Sequence, residues 1–336
     1  MTETTLDQPL RGSDFARLSR RVARAGLLER RPGYYAARTA AVAALFAGGW
    51  TLFALAGDTW WQLPVAVLLA VAFAQVALLA HDLAHGQVLR SRRASRNAGY
   101  LAGNLAIGLG YGWWAEKHTR HHANPNHEDH DPDVAPQVLV WSERQAGQTR
   151  GLTRLVARHQ AWLFFPLLTL EGLNLHVSSL RSLRRVKNRG VEALLLILHD
   201  AAYLAAVFTV LSPGRALAFL AVHQACFGVY LGCVFAPNHK GMPMLTGADR
   251  PDFLRRQVLT SRNVGGGRLL DAALGGLNHQ IEHHLFPSMP TPSLRRARPI
   301  VRAYCRQLGV PYTECGLIAS WGQALRHLHA VGRSLR

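Results

Sequence analysis

Histidines are the residues of this chain whose type and spacing could do chemistry. His81 and His85, in "HDLAH", are four apart, so on a helix they share one face. In "HTRHH", His118, His121 and His122 stand at i, i+3 and i+4, again one face. Gln280, His283 and His284 repeat that pattern in "QIEHH". Neutral imidazole is a common ligand for iron, zinc and copper, and it binds at pH 7 without releasing a proton. One pair at helical spacing is a weak signal. Three clusters at that spacing point to metal.

The number of ligands discriminates further. His239, in "NHK", adds an eighth imidazole to the seven in the clusters. A structural or hydrolytic zinc takes three or four protein ligands, so eight histidines, with Gln280 in reserve, suit two metal ions. Soluble di-iron oxidation sites use carboxylates and a Glu-x-x-His motif in a helical bundle; this chain offers a histidine-rich equivalent. Asp131, Asp133 and Glu282 are expected to orient the imidazoles by accepting their second N–H. The isolated His159, His176, His327 and His329 read as hydrogen-bonded surface residues, and His127 and His130 as loop or supporting groups. His279 precedes Gln280 by one residue and should point away from the metal. No catalytic residue is expected beyond the metal ligands.

Positioning these residues takes an unusual scaffold. The 336 residues would fit two or three soluble domains, but 49% of them are hydrophobic and only 17% charged, too greasy for an ordinary wet surface. Segments 39–57 and 59–80 lack any charge over lengths that cross a bilayer. Segments 191–211 and 216–236, broken by "SPGR", form a second pair. The expected fold is therefore all-α and integral to a membrane, with four transmembrane helices in two hairpins. Glycine-rich 98–114 and proline-bearing 162–177 are expected to be interfacial or re-entrant. His199 and Asp200 fall inside the third span, where ionisable groups are costly; Gln75 or a neighbouring helix carbonyl is expected to satisfy them. The glycines of "GGLN" and "VGGG" are expected to serve close packing.

Residues 1–38 carry eight arginines and no cleavable-signal pattern, so they read as a basic cytoplasmic segment under the positive-inside rule. The membrane domain is expected at 39–310 and a cytoplasmic tail at 311–336. Each hairpin returns the chain to its starting side. Stretches 81–190 and 237–336 then both face the cytoplasm, and every histidine cluster lands in one cytoplasmic helical cap. The formal charge of +18 concentrates beside the spans, at 17–31, 90–96 and 181–189. Anionic membrane lipids explain that placement, and no motif supports a nucleic-acid partner. The four cysteines form no CxxC, which gives no sign of a zinc or Fe–S site.

At this point "HDLAHG" (81–86), "WWAEKHTRHHANPNHEDHDPD" (113–133), "FAPNHKGMP" (235–243) and "GGLNHQIEHHLFPSMP" (275–290) can be taken together. With these motifs the chain resembles membrane-bound fatty acid desaturases, the histidine-box family, over roughly 39–310. Glutamine opening the third box is most similar to the acyl-lipid and front-end branch. The resemblance implies a cytoplasmic centre of two iron ions (Fe2+/Fe3+), with O2 as co-substrate. It implies a cis double bond placed in a fatty acyl chain carried as acyl-lipid, acyl-CoA or acyl carrier protein. It carries the iron ligands over to His81, His85, His118, His121, His122, His283 and His284, with His239 as a further ligand and Gln280 as a weak or water-mediated one. The His-Pro-Gly-Gly motif of a fused cytochrome b5 domain does not occur, so electrons are expected from a separate donor such as ferredoxin or an oxidoreductase. The expected location is a bacterial plasma membrane, with the site on the cytoplasmic face. Related di-iron hydroxylases, ketolases and acetylenases are the nearest alternatives. A histidine-rich metal transporter or sensor is more distant, because its ligands should line the spans instead of collecting at one end.

Overall fold

The computed structural model describes residues 13–335, so the first twelve residues of the expected basic segment lie outside the described residues. Four helices are long and apolar enough to cross a membrane: α2 (Pro32–Ala56), α3 (Gln62–Ala84), α9 (Arg189–Val210) and α10 (Pro213–His239); an amphipathic α1 (Asp14–Arg24) precedes them. Apolar windows stop where charge begins, but these helices do not. α2 starts at Pro32, where a missing N–H costs nothing, and it carries Arg38 to within 3.4 Å of Asp82. α3 continues through His81, and α10 runs past Pro237 to His239. The motifs "HDLAH" and "NHK" thus lie at the ends of membrane helices.

α3 packs against both α2 and α10, around a buried aromatic and aliphatic core that includes Phe73, Val207, Phe219 and Phe227. At one end of the bundle the two hairpin tips are tied together. Asp58 accepts from the Ser212 amide at 2.9 Å and pairs with Arg215 at 2.7 Å. The histidines occupy the opposite end.

Between the hairpins come α4 (Arg92–Tyr100), a π-helical turn at Leu101–Ala106, α5 (Tyr111–Ala123) and the short α6 (Glu143–Gly147). The π turn packs on α3 and α9. α7 (Gly151–Leu168) and α8 (Glu171–Ser182) follow, bent by 83° at their junction; they could span only if the pair counts as one broken helix. α8 lies on α10, where Gly228 faces backbone: a Cβ there would meet the Gly172 amide nitrogen at 2.5 Å.

The cap contains α11 (Phe253–Leu259), α12 (Arg268–Ala273), α13 (Gln280–Leu285), α14 (Thr291–Gln307) and α15 (Leu317–Arg333). Leu18 and Val22, one turn apart on α1, are buried with Leu254, Val258, Ile281 and Val301, which fastens α1 over the cap. The helical fold has one addition. β1 (Asn263–Gly265) pairs in parallel with β2 (Glu314–Gly316). Three residues per strand leave no periodicity for a sequence to show. Residues after 310 also fold back onto the body, since α15 packs along α7.

Candidate metal centre

Four helices deliver imidazoles to one place. The last turn of α3 supplies His81, and its cap residue is His85. α5 supplies His118, His121 and His122, the end of α10 supplies His239, and α13 supplies His283 and His284. His81, His85, His118 and His283 offer nitrogens that all lie within 4.8 Å of one another; His121, His239 and His284 form a second such set. His122 stands between the sets, its ring 4.8 Å from that of His283 and 4.2 Å from that of His284. The Gln280 amide nitrogen lies 2.9 Å from His239 Nε2, and a half-turn of that amide would present its oxygen instead.

The outer nitrogens decide which way the rings face. His121 Nδ1 meets both Asp131 oxygens at 3.0 Å. His239 Nδ1 meets the Thr260 carbonyl at 3.0 Å, His284 Nδ1 meets Gln257 Oε1 at 2.9 Å, and His81 Nδ1 meets Asp82 Oδ1 at 3.3 Å. Donation to these acceptors leaves the Nε2 lone pair of each ring for the interior.

Several interior atoms have no protein partner. His81 Nε2, His122 Nδ1, His284 Nε2 and both nitrogens of His283 are buried without a hydrogen bond. Each such atom costs about 1–3 kcal/mol if left alone. His118 Nε2 stands 3.0 Å from the Nε2 atoms of both His85 and His122. Two nitrogens bound about 2.0–2.1 Å from one ion at right angles would be about 3 Å apart. An all-imidazole donor set suits a first-row transition metal and not calcium or magnesium, which take oxygen. The residues fit a metal.

Electrostatics agrees. Burial first, then the neighbouring imidazoles, holds His85, His118, His122, His283 and His284 well below the ordinary histidine pKa. They are neutral at pH 7, with lone pairs available. At His121 burial also opposes charge, but the Asp131 and Asp133 carboxylates outweigh it and raise the pKa. His121, Asp131 and Asp133 converge closely enough to look like a third metal set. The oxygens of Asp131 are already engaged, however, by His121 and by the Asn126 and Asp133 amides at 2.8 Å. Asp133 pairs with Lys117 at 2.5 Å; burial disfavours its charge, yet Lys117, His121 and Lys240 hold its pKa below the usual range. The group reads as a brace for His121.

The family model for fatty acid desaturase matches residues 58–316. The chain belongs to the fatty acid desaturase family. It is 29% identical over 313 residues to an acyl-lipid (9-3)-desaturase of Physcomitrium patens, an alignment covering 90% of this chain and 59% of that protein. A Delta(5) fatty acid desaturase of Caenorhabditis elegans is 30% identical, with 75% and 60% covered, and fatty acid desaturase 3 of Bos taurus is 30% identical, with 95% and 73% covered. This desaturase-family chain thus spans about three fifths of the length of the moss and nematode proteins. Family membership and the four apolar helices together make it an integral membrane protein.

Glu282 does not reach an imidazole, which corrects the expectation placed on it. One residue of α13 turns its carboxylate about 100° from His283, and it accepts from Asn263 Nδ2 and the Tyr312 hydroxyl, both at 2.7 Å. Burial there raises its pKa to about 7. His279 turns to Asp271 at 3.2 Å. His199 meets the Leu105 carbonyl at 2.9 Å, while Gln75 goes to the Tyr230 hydroxyl at 2.9 Å. The rings of His127 and His130 lie tilted against each other at 4.4 Å. Sequence reasoning missed Asp82, which stood legible inside "HDLAH". It also missed Gln257 and Thr260, for which no spacing gave a signal, and Trp114, whose indole stacks on His118 at 4.6 Å. Asn126 was missed too; it adopts a left-handed φ of 54°, which asparagine tolerates, and its side chain donates to the His239 carbonyl at 3.0 Å.

Proposed function

We propose that the protein is an oxygen-dependent desaturase of fatty acyl chains whose two iron ions are held by the two histidine sets. His81, His85, His118 and His283 would hold one ion, and His121, His239 and His284 the other, with His122 between them and Gln280 beside His239. When bound, iron supplies the activation of dioxygen that hydrogen removal from an unactivated methylene requires and that no side chain offers. The protein's own part is positional. Asp82, Asp131, Gln257 and the Thr260 carbonyl fix the rings, and the cap keeps water off them: His283 and His284 are each 1% exposed. Each turnover removes two hydrogens from the acyl chain. With two electrons and two protons they reduce dioxygen to water, and the electrons come from a separate donor of the ferredoxin or oxidoreductase class. The arginines flanking the histidine end support a cytoplasmic face.

One observation carries this reading: buried imidazole nitrogens that lack any protein partner converge from three helices, α3, α5 and α13, in a chain of this family. The test is expression in a host without such an enzyme but with a compatible electron donor, followed by fatty acid profiling with double-bond location. A new olefin and about two irons per chain are expected. A hydroxylated or keto product, or purified protein that binds no iron, would overturn it.

A further inference from the structure

The outer face of α14 is a continuous basic stripe. This helix carries Arg295, Arg296, Arg298, Arg302 and Arg306 and no acidic residue. Arg295, Arg298, Arg302 and Arg306 follow helical spacing, so they share one face. With Pro299 and Ala303 they line an open groove of about 390 Å3. Arg295 pairs with Asp271 and Arg298 with Glu314, whereas among the described residues the exposed Arg302 and Arg306 have no carboxylate within ion-pair distance. α1 extends the positive surface: Arg21 donates to Gln307 at 2.9 Å and lies over the Tyr304 ring.

The inner face of α14 lies on the helix that carries the third histidine cluster. Leu294, Ala297 and Val301 are buried with Ile281 and Leu285 of α13. Packed helices stand about 8–10 Å apart, axis to axis, so the stripe is one helix away from His283 and His284. A bonded route leads the same way. Arg298 pairs with Glu314, and two residues before Glu314 the Tyr312 hydroxyl donates to Glu282 at 2.7 Å, the chain neighbour of His283. From Arg295 to Arg306 the stripe runs about 16 Å, longer than a small anion and open along its length. That shape suits a protein surface of opposite charge. Its far end meets α1 and not a membrane span, since the Tyr304 hydroxyl donates to the Asp14 carbonyl at 3.0 Å.

We propose that the outer face of α14 docks the electron donor, and that this donor is a small acidic one-electron carrier protein; the assignment rests on the desaturase reading. Each encounter oxidises the carrier by one electron and reduces the metal centre by one. Two encounters then supply the two electrons of a turnover. The experiment is equilibrium binding at low ionic strength to the purified full chain in nanodiscs of neutral lipid. The probe is an acidic [2Fe–2S] ferredoxin, with a basic cytochrome c as the comparison.

The ferredoxin is expected to bind about tenfold or more tightly than the cytochrome, and R302E/R306E should remove that margin. R326E/R333E, at exposed positions of α15, makes the same change in net charge and should keep it. Arg302→Gln alone should reduce the margin, which carries the test if the double variant does not fold. Equal binding of the two carriers overturns the assignment. So does a margin that survives both R302E/R306E and Arg302→Gln, or one that R326E/R333E removes equally. A surviving margin with less phosphatidylglycerol copurifying with R302E/R306E would give the face to lipid head groups instead. Binding is read without iron or turnover. Failure to find iron or olefin would therefore sink the desaturase reading, while a margin that depends on α14 would remain.

Discussion

His121 and His284 take their orientation from side chains outside the proposed ligand set, Asp131 and Gln257. Groups that fix a ligating ring in this way commonly alter metal affinity about 10–100-fold when removed. Both histidines belong to the same set, so Asp131→Asn and Gln257→Leu should each weaken that one ion and spare the other. After dialysis against a chelator, elemental analysis should then fall from about two irons per chain towards one. Full retention of both ions in both variants would contradict the division of the histidines into two sets. At this scale the sequence was informative for the histidines that converge, because helical spacing is visible in "HTRHH" and "QIEHH". It was nearly silent for their supports. Gln257 meets a histidine 27 residues away, and Thr260 acts through a backbone carbonyl that any residue type would supply.

Helix backbones lie close together where α10 crosses the α7–α8 junction. A methyl at Gly228 would press on the Gly172 and Glu171 amides, and backbone cannot swing aside as a side chain can. Overpacking of this kind costs about 1–3 kcal/mol, so Gly228→Ala should lower the thermal midpoint in detergent. Gly48, on α2, has a right-handed backbone and open space around it, with nothing within 4 Å of where a methyl would sit. Gly48→Ala should be neutral or should stabilise by up to about 1 kcal/mol, since alanine is the better helix former. Similar losses from both would show that the close crossing does not govern stability. The four spans were legible as apolar runs, but their ends were not, because hydropathy reports apolarity and helices continue into polar sequence. That is why His81 and His239 turn out to sit on membrane helices. The π turn at Leu101–Ala106 and the three-residue ladder were hidden for the same kind of reason: neither is long enough to show a period.

At the scale of the molecule, the bent pair α7–α8 is constrained by parity. α5 precedes it and α13 follows it, with the two crossings α9 and α10 in between. Two crossings return the chain to the same side; a third would place α5 and α13 on opposite sides of the bilayer. Yet the rings of His121 and His284 are 5.1 Å apart, and those of His122 and His284 are 4.2 Å apart. The pair must therefore dip and return. The prediction can be checked in sealed vesicles with a membrane-impermeant maleimide, on a background lacking Cys226, Cys233, Cys305 and Cys315. Leu152→Cys before the bend, Lys187→Cys after it and Leu269→Cys on the cap should all react from one side. Leu152 and Leu269 are 75% and 88% exposed, so access does not limit the reaction. Thr59→Cys and Gly214→Cys, at the two hairpin tips, should react only from the other. If Leu152→Cys and Leu269→Cys were labelled from opposite sides, the pair would be a fifth span, and the histidines could not meet.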